Sequence, residues 1–271
     1  PASTGAARVS TPVDVDSLTA FRSKSGRLTF RAAPGGESAA ARLAAHADED
    51  RAVVATLFGR DWDGDTEVRV AAPSGALLPL VPPDRSAPPW AAGVAFPEKN
   101  LVVLRADADL ARERATLRHE LSHVAAGRLA PGRLPRWFLE GLANLQSLEP
   151  HERGGPTLVR AAIGDDLLTF DSISDRFPAS VVDVELAYLQ STDFVQFLAD
   201  RRGAPALETI VRSVVGGRAF DLAVHDQLGE RLRVLESQWR GTLTRWENVF
   251  RLVGGAEALW LGITLLFVVA A

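Results

Sequence analysis

Two histidines four residues apart and a glutamate seventeen positions further on constrain this chain more than anything else in it. Residues 119–123 read His-Glu-Leu-Ser-His, and Glu140 lies within Trp-Phe-Leu-Glu-Gly-Leu-Ala. Residues four apart on an α-helix stand one turn above another on the same face, so His119 and His123 can aim imidazole nitrogens at a single ion. Zinc takes about four ligands at roughly 2.0 to 2.2 Å from nitrogen or oxygen, and a catalytic zinc leaves one position to water. Glu140 is the candidate third ligand, and Glu120, beside His119, the candidate general base. The chain must therefore bring two helices together at one point. On spacing alone, the same five residues also suit an ordinary salt-bridged surface helix.

The flanking sequence supports both helices. Residues 108–127 contain no proline and repeat apolar residues at Leu110, Ala115, Leu117, Leu121 and Val124, with Gly127 as the predicted stop. Leu134-Pro135 opens a second helix, where proline is tolerated in the first turn, and Trp137, Phe138, Leu142 and Leu145 form its apolar surface. The longer pattern H-E-x-x-H-x-x-G-x-x-H fails, because Ala126 and Leu129 occupy its glycine and last histidine positions.

Three motifs in order resemble the peptidase MA-like gluzincins, whose pattern runs HELxH, LPxWFxEGLA and YxQS. Here they read HELSH at 119–123, LPRWFLEGLA at 134–143 and YLQS at 188–191, and the resemblance extends from about Leu28 to about Leu243. It implies an α+β, zincin-like fold: a small mixed sheet with a helix in an N-terminal lobe, an active-site helix and a helical C-terminal lobe. It also implies a zinc metallopeptidase that hydrolyses peptide bonds through a zinc-activated water. In that family pattern His119, His123 and Glu140 bind Zn2+, Glu120 is the base, and Tyr188 donates a hydrogen bond to the developing oxyanion.

Tyr188 is the single tyrosine of the chain. A phenol with a pKa of about 10 stays a donor at neutral pH, as that role requires; the ordinary alternative is a helix tyrosine packing its ring. Gly93, Val94 and Ala95, within a strand over 93–96, resemble the family's edge strand beside the zinc helix, where extended substrate backbone would pair. A purely structural strand is the alternative reading. Asn144 departs from the family, which often places an aspartate four residues after the glutamate ligand to orient a ligand histidine. Its amide oxygen can accept from an imidazole N–H but raises ligand basicity less than a carboxylate would.

Elsewhere the patterning predicts strands over 27–32, 67–71 and 101–105, and helices over 38–58, 184–201, 205–215, 219–228 and 230–250. Phe194, Phe197, Leu198 and Leu207 belong to apolar stripes that form core. The organisation expected is a flexible leader over 1–20, a metallopeptidase domain over 21–250, divided into a sheet lobe with the zinc helix (21–130) and a helical lobe (131–250), and a membrane anchor over 252–271. Fourteen uncharged residues, 258–271, carry that last expectation. The stretch reads as a transmembrane helix whose far end lies beyond Ala271, with a buried terminal helix as the alternative. The catalytic domain is then expected outside the cytoplasm.

Other functions are excluded. A net charge of −4 and the lack of a basic run with interleaved aromatics argue against nucleic-acid binding. Without cysteine there is neither a disulfide framework nor a thiolate metal site. The acidic stretch 61–65, Asp-Trp-Asp-Gly-Asp, lacks the glycine at loop position six and has Ala72 where a calcium loop needs glutamate, so it reads as a polar turn. Three readings remain: a membrane-anchored zinc peptidase acting on peptide or protein substrates, a zinc-bound but inactive peptide-binding relative, and a structural protein with a chance motif.

Overall fold

The structure is a computed structural model that describes residues 13–147 and 153–245. Contacts divide the chain into two compact units, Pro1–Pro131 with Gln146–Leu148, and Gly132–Leu145 with Glu149–Ala271.

The first unit is built on a five-stranded mixed sheet. Its strands are β1 (Thr19–Arg22), β2 (Leu28–Ala32), β3 (Thr66–Ala71), β4 (Gly93–Phe96) and β5 (Leu101–Arg105), in the order β1-β2-β3-β5-β4. β2, β3 and β5 are parallel, whereas β1 and β4 run antiparallel at the two edges. Alternation shows in burial: Leu28, Phe30 and Ala32 of β2, with Thr66, Val68 and Val70 of β3, are buried while the residues between them are part-exposed. In β5 four consecutive apolar residues, Leu101 to Leu104, are buried, as a strand covered on both faces requires. Helix α1 (Glu37–Phe58) packs against β2 and α2 (Leu110–Leu129) against β4 and β5, and the two helices pack on each other.

Two local results differ from the sequence reading, and a third explains one of its features. β1 carries no signal, because its residues are exposed or half-buried and offer no alternation; it begins at Thr19, inside the stretch expected to be leader. Gly127 does not end α2, which continues to Leu129. Glycine is needed there because a Cβ would fall on the side chain of Pro97. The acidic turn is held by cations of the protein itself: Arg51 is buried, donates to Asp61 at 2.9 Å and to the Trp62 carbonyl at 2.9 Å, and stacks 3.9 Å over the Trp62 ring.

The second unit is helical: α3 (Arg136–Ser147), α4 (Pro156–Ile163), α5 (Val181–Arg202), α6 (Ala204–Val215), α7 (Phe220–Leu228) and α8 (Leu232–Leu243). Its centre is aromatic. Trp137 meets Phe138, Phe170, Phe194 and Phe220 with ring centroids 4.7 to 5.7 Å apart. Trp239 joins through Phe170 and Phe194 and donates its indole N–H to the buried Asp193 at 2.6 Å. Phe194, Phe197, Leu198 and Leu207 are all buried.

α4 has no counterpart among the predicted helices; eight residues are too few for a clear period, and the Gly155-Pro156 start reads equally as a turn. α5 begins three residues before its predicted start, because Ser180 caps it while Val181 and Val182 are exposed and leave the apolar stripe unmarked. α8 ends at Leu243, where Gly241, Thr242 and Thr244 weaken the helix. Among the described residues no helix is long and apolar enough to cross a membrane. The expected anchor, 252–271, lies outside the described residues.

Candidate metal centre

α2 presents the histidine pair from a firmly held helix. Asp109 caps its start, accepting from the Ala111 amide at 2.9 Å. Asp50 of α1, fully buried, is paired with Arg114 at 2.9 Å and Arg118 at 2.8 Å, so two guanidinium groups tie α2 to α1 just ahead of His119. One turn further, the Ser122 hydroxyl meets the Arg118 carbonyl and the Gln146 side-chain oxygen. His119 and His123 are half-buried, their Nε2 atoms lie 3.2 Å apart, and their rings meet edge-on with centroids 5.0 Å apart.

Glu140 comes from α3 and is buried. A nitrogen of each histidine and a carboxylate oxygen of Glu140 all lie within 4.8 Å of one another, the one group of three or more potential ligand residues found among the described residues. These donors suit a divalent ion of the zinc type. Two bonds of about 2.0 to 2.1 Å at a tetrahedral angle place two nitrogens about 3.3 to 3.4 Å apart, which the observed Nε2 separation of 3.2 Å matches. Two imidazoles with one carboxylate form a three-ligand set that leaves a position for water or substrate.

The helix carrying Glu140 owes its position in its own unit to a glycine. A Cβ at Gly141 would lie 2.6 Å from Val195 Cγ2 and 2.8 Å from the Ser191 carbonyl carbon, so α3 approaches α5 where the motif reads Glu-Gly. One turn on, half-buried Asn144 donates its amide to Thr192 Oγ1 at 2.6 Å, and that hydroxyl donates to the Tyr188 carbonyl at 3.0 Å. Asn144 thus ties α3 to the helix that bears Tyr188.

Glu120, buried beside the pair, lies over the first residue of β4. A Cβ on Gly93 would sit 2.8 Å from both Cγ and Oε1 of Glu120. Gly93, Val94 and Ala95 pair with Leu104, Val103 and Val102 of β5, which makes β4 the last strand of the sheet on that side.

Tyr188 is half-buried on α5, its ring edge-on to Phe177 with centroids 5.0 Å apart. The rest of its motif is structural: buried Gln190 bonds both backbone groups of Leu168, at 2.9 and 3.0 Å, and Ser191 donates to the Ala187 carbonyl at 2.6 Å. Phe177 also carries the Arg136 guanidinium 5.3 Å from its ring centroid, and Arg136 reaches Glu140 Oε1 at 3.2 Å. Sequence reasoning missed Arg136, Phe177 and Thr192. Arg136 had a readable signal, its position four residues before Glu140 on one helix; the other two contacts arise from tertiary packing.

A family model described as the peptidase MA superfamily matches residues 86–245. Among solved structures, native yeast LTA4 hydrolase aligns at 13% identity with a TM-score of 0.50, covering 82% of this chain and 38% of that one. An M1 zinc metallopeptidase from Deinococcus radiodurans aligns at 15% identity, TM-score 0.43, over 80% of this chain and 47% of that one. A mutant M1 zinc metallopeptidase from the same organism aligns at 16%, TM-score 0.45, over 81% and 48%. The chain spans about half or less of the length of these structures, and the likeness to the yeast protein is one of fold. No curated protein matches the chain.

Proposed function

The chain belongs to the peptidase MA superfamily, and from that premise we propose that it is a zinc-dependent metallopeptidase that hydrolyses peptide bonds. The observation that carries this reading is the grouping of His119, His123 and Glu140 within 4.8 Å, with the Glu120 carboxylate at Gly93 on the neighbouring edge strand. Zinc held by that triad supplies a Lewis acid and brings the pKa of a bound water to about 7.

The remaining work falls to the chain's own groups. Glu120 takes the proton of the attacking water and passes it to the leaving amine. The Tyr188 hydroxyl donates to the oxygen on which negative charge develops, a contribution of about 3 to 4 kcal/mol for a well-placed donor. Gly93, Val94 and Ala95 offer the outer edge of β4 to an extended substrate backbone, which selects for extended peptide more than for side chains. Asn144 supports this arrangement through Thr192.

The test pairs metal analysis of the purified chain with a peptide-library digest, comparing the native protein with Glu120→Gln. One zinc per chain in both and cleavage only by the native protein are expected. Equal cleavage by the two removes Glu120 from the mechanism, and zinc in both with cleavage in neither leaves a peptide-binding relative. We further propose that the apolar stretch 252–271 anchors the catalytic domain to a membrane, facing outside the cytoplasm. Deleting 258–271 then releases the protein from the membrane fraction, and continued sedimentation with membranes rules the anchor out.

A further inference from the structure

A guanidinium stands beside the proposed zinc ligand with most of its donors unused. Arg136 opens α3 and its amide donates to the Ser174 carbonyl at 2.6 Å, which fixes the start of the helix. Its side chain is 46% exposed, while the Glu140 carboxylate it meets at 3.2 Å is 5% exposed. Among the described residues that is its one ion pair, and it makes no other side-chain hydrogen bond. An arginine carries five N–H donors in a fixed fork, so a half-exposed one with a single anionic contact keeps several donors facing solvent.

The fork is also held in place. Its Cζ lies 5.3 Å from the centroid of Phe177, and Phe177 is braced edge-on by Tyr188. Stacking on an aromatic face fixes the guanidinium plane and keeps it available for bidentate contact. The cation is therefore in contact with a proposed zinc ligand on one side, one ring away from the proposed oxyanion donor on the other, and open to a third partner.

Resting on the zinc-peptidase reading above, we infer that Arg136 is a specificity-determining residue that binds a carboxylate of the substrate beside the bond to be cleaved. Planar, two-oxygen anions match the guanidinium fork in geometry and charge. Two sources present that group in a peptide: a free C-terminal carboxylate, and an aspartate or glutamate side chain. The substrate class is thus an extended peptide with a carboxylate next to the cleaved bond.

The experiment uses the full chain loaded with zinc and three pools of N-acetylated hexapeptides: C-terminal amides without acidic residues, free acids without acidic residues, and amides with one Asp or Glu. Cleavage is followed by mass spectrometry with the native protein, and binding by equilibrium dialysis with zinc-loaded Glu120→Gln, each with and without Arg136→Gln or Arg136→Lys. Zinc content is measured for every variant.

One carboxylate pool should exceed the neutral amide pool by about ten- to a hundredfold, the range of a charge-assisted hydrogen bond. The preferred pool identifies the source. Arg136→Gln should bring that ratio close to one, and Arg136→Lys should restore part of it. A ratio unchanged by Arg136→Gln, or an equal fall for all three pools, confines Arg136 to holding Glu140 and overturns the inference. Binding that follows the carboxylate without any cleavage overturns the peptidase reading but keeps the subsite; no binding of any pool overturns the subsite.

Discussion

The Glu120 carboxylate lies so close over Gly93 that a single methyl group there would stand 2.8 Å from Cγ and Oε1 of the side chain. The first residue of the edge strand therefore sets where the proposed base can be. Gly93→Ala should displace the Glu120 side chain rather than the backbone, because the carboxylate end is the movable partner. A misplacement of about 1 Å at a reacting group costs on the order of a hundredfold in rate. We expect kcat to fall by about ten- to a hundredfold with zinc content unchanged, measured on the same preparation. Loss of zinc in Gly93→Ala would mean that the glycine serves the ligands instead.

Asp50 is one of the ionic ties between α1 and the histidine-bearing helix, beside the Arg42–Glu113 pair at 2.8 Å. It is fully buried and paired with both Arg114 and Arg118. Removing one partner of a buried ion pair costs about 3 to 5 kcal/mol, since the opposite charge is left uncompensated. Asp50→Ala should lower stability by that amount in denaturant unfolding and weaken zinc binding, because Arg118 immediately precedes His119. A loss below about 1 kcal/mol would class the pairs with ordinary surface ion pairs.

Gly127 and Pro97 form a second close approach, this one under the end of α2. Gly127→Ala should destabilise by about 1 to 3 kcal/mol, the usual cost of overpacking, although alanine is the better helix former. Pro97→Gly in the same chain, which removes the carbons that the new methyl group meets, should recover part of that loss. Additive effects of the two changes in a double-mutant cycle would show that the residues do not interact.

Asp48 gives a pH dependence of known sign. Burial pushes its carboxyl upward, but the Ser25 hydroxyl and amide, the Ser23 hydroxyl and the charge of Arg51 pull it down further, leaving it below the usual carboxylate range. A folded-state pKa below the unfolded value of about 3.9 means stability that is present above that pH and lost as pH falls through the folded value. The melting temperature of Asp48→Asn should lie below that of the native chain at pH 7, and the gap should close on acidification below about pH 4. A gap independent of pH would assign the effect to shape rather than charge.

Much of the candidate centre is legible in sequence because its geometry is short-range. The four-residue helical spacing aligns His119 with His123, and a connection of a few residues returns the chain to Glu140. Arg136 follows the same rule relative to Glu140. Contacts between elements distant in the chain are not legible. Nothing in the order of residues says that Glu120 lies on Gly93, that Asn144 reaches Thr192, or that Phe177 stands between Arg136 and Tyr188.

The fold divides in the same way. β2, β3 and β5 bury regular faces and can be read, whereas β1 buries almost nothing and cannot. Gly127 misleads for a related reason: a glycine that ends a helix and one that admits a neighbouring proline look identical in sequence.

The central claim is that His119, His123 and Glu140 hold one ion. Anomalous diffraction at the zinc edge, from crystals of the purified chain, tests it most directly. The account predicts a single peak about 2.0 to 2.2 Å from a nitrogen of each histidine and from an oxygen of Glu140. No peak at that position, or a zinc bound with the Glu140 carboxylate turned away from it, would contradict the account.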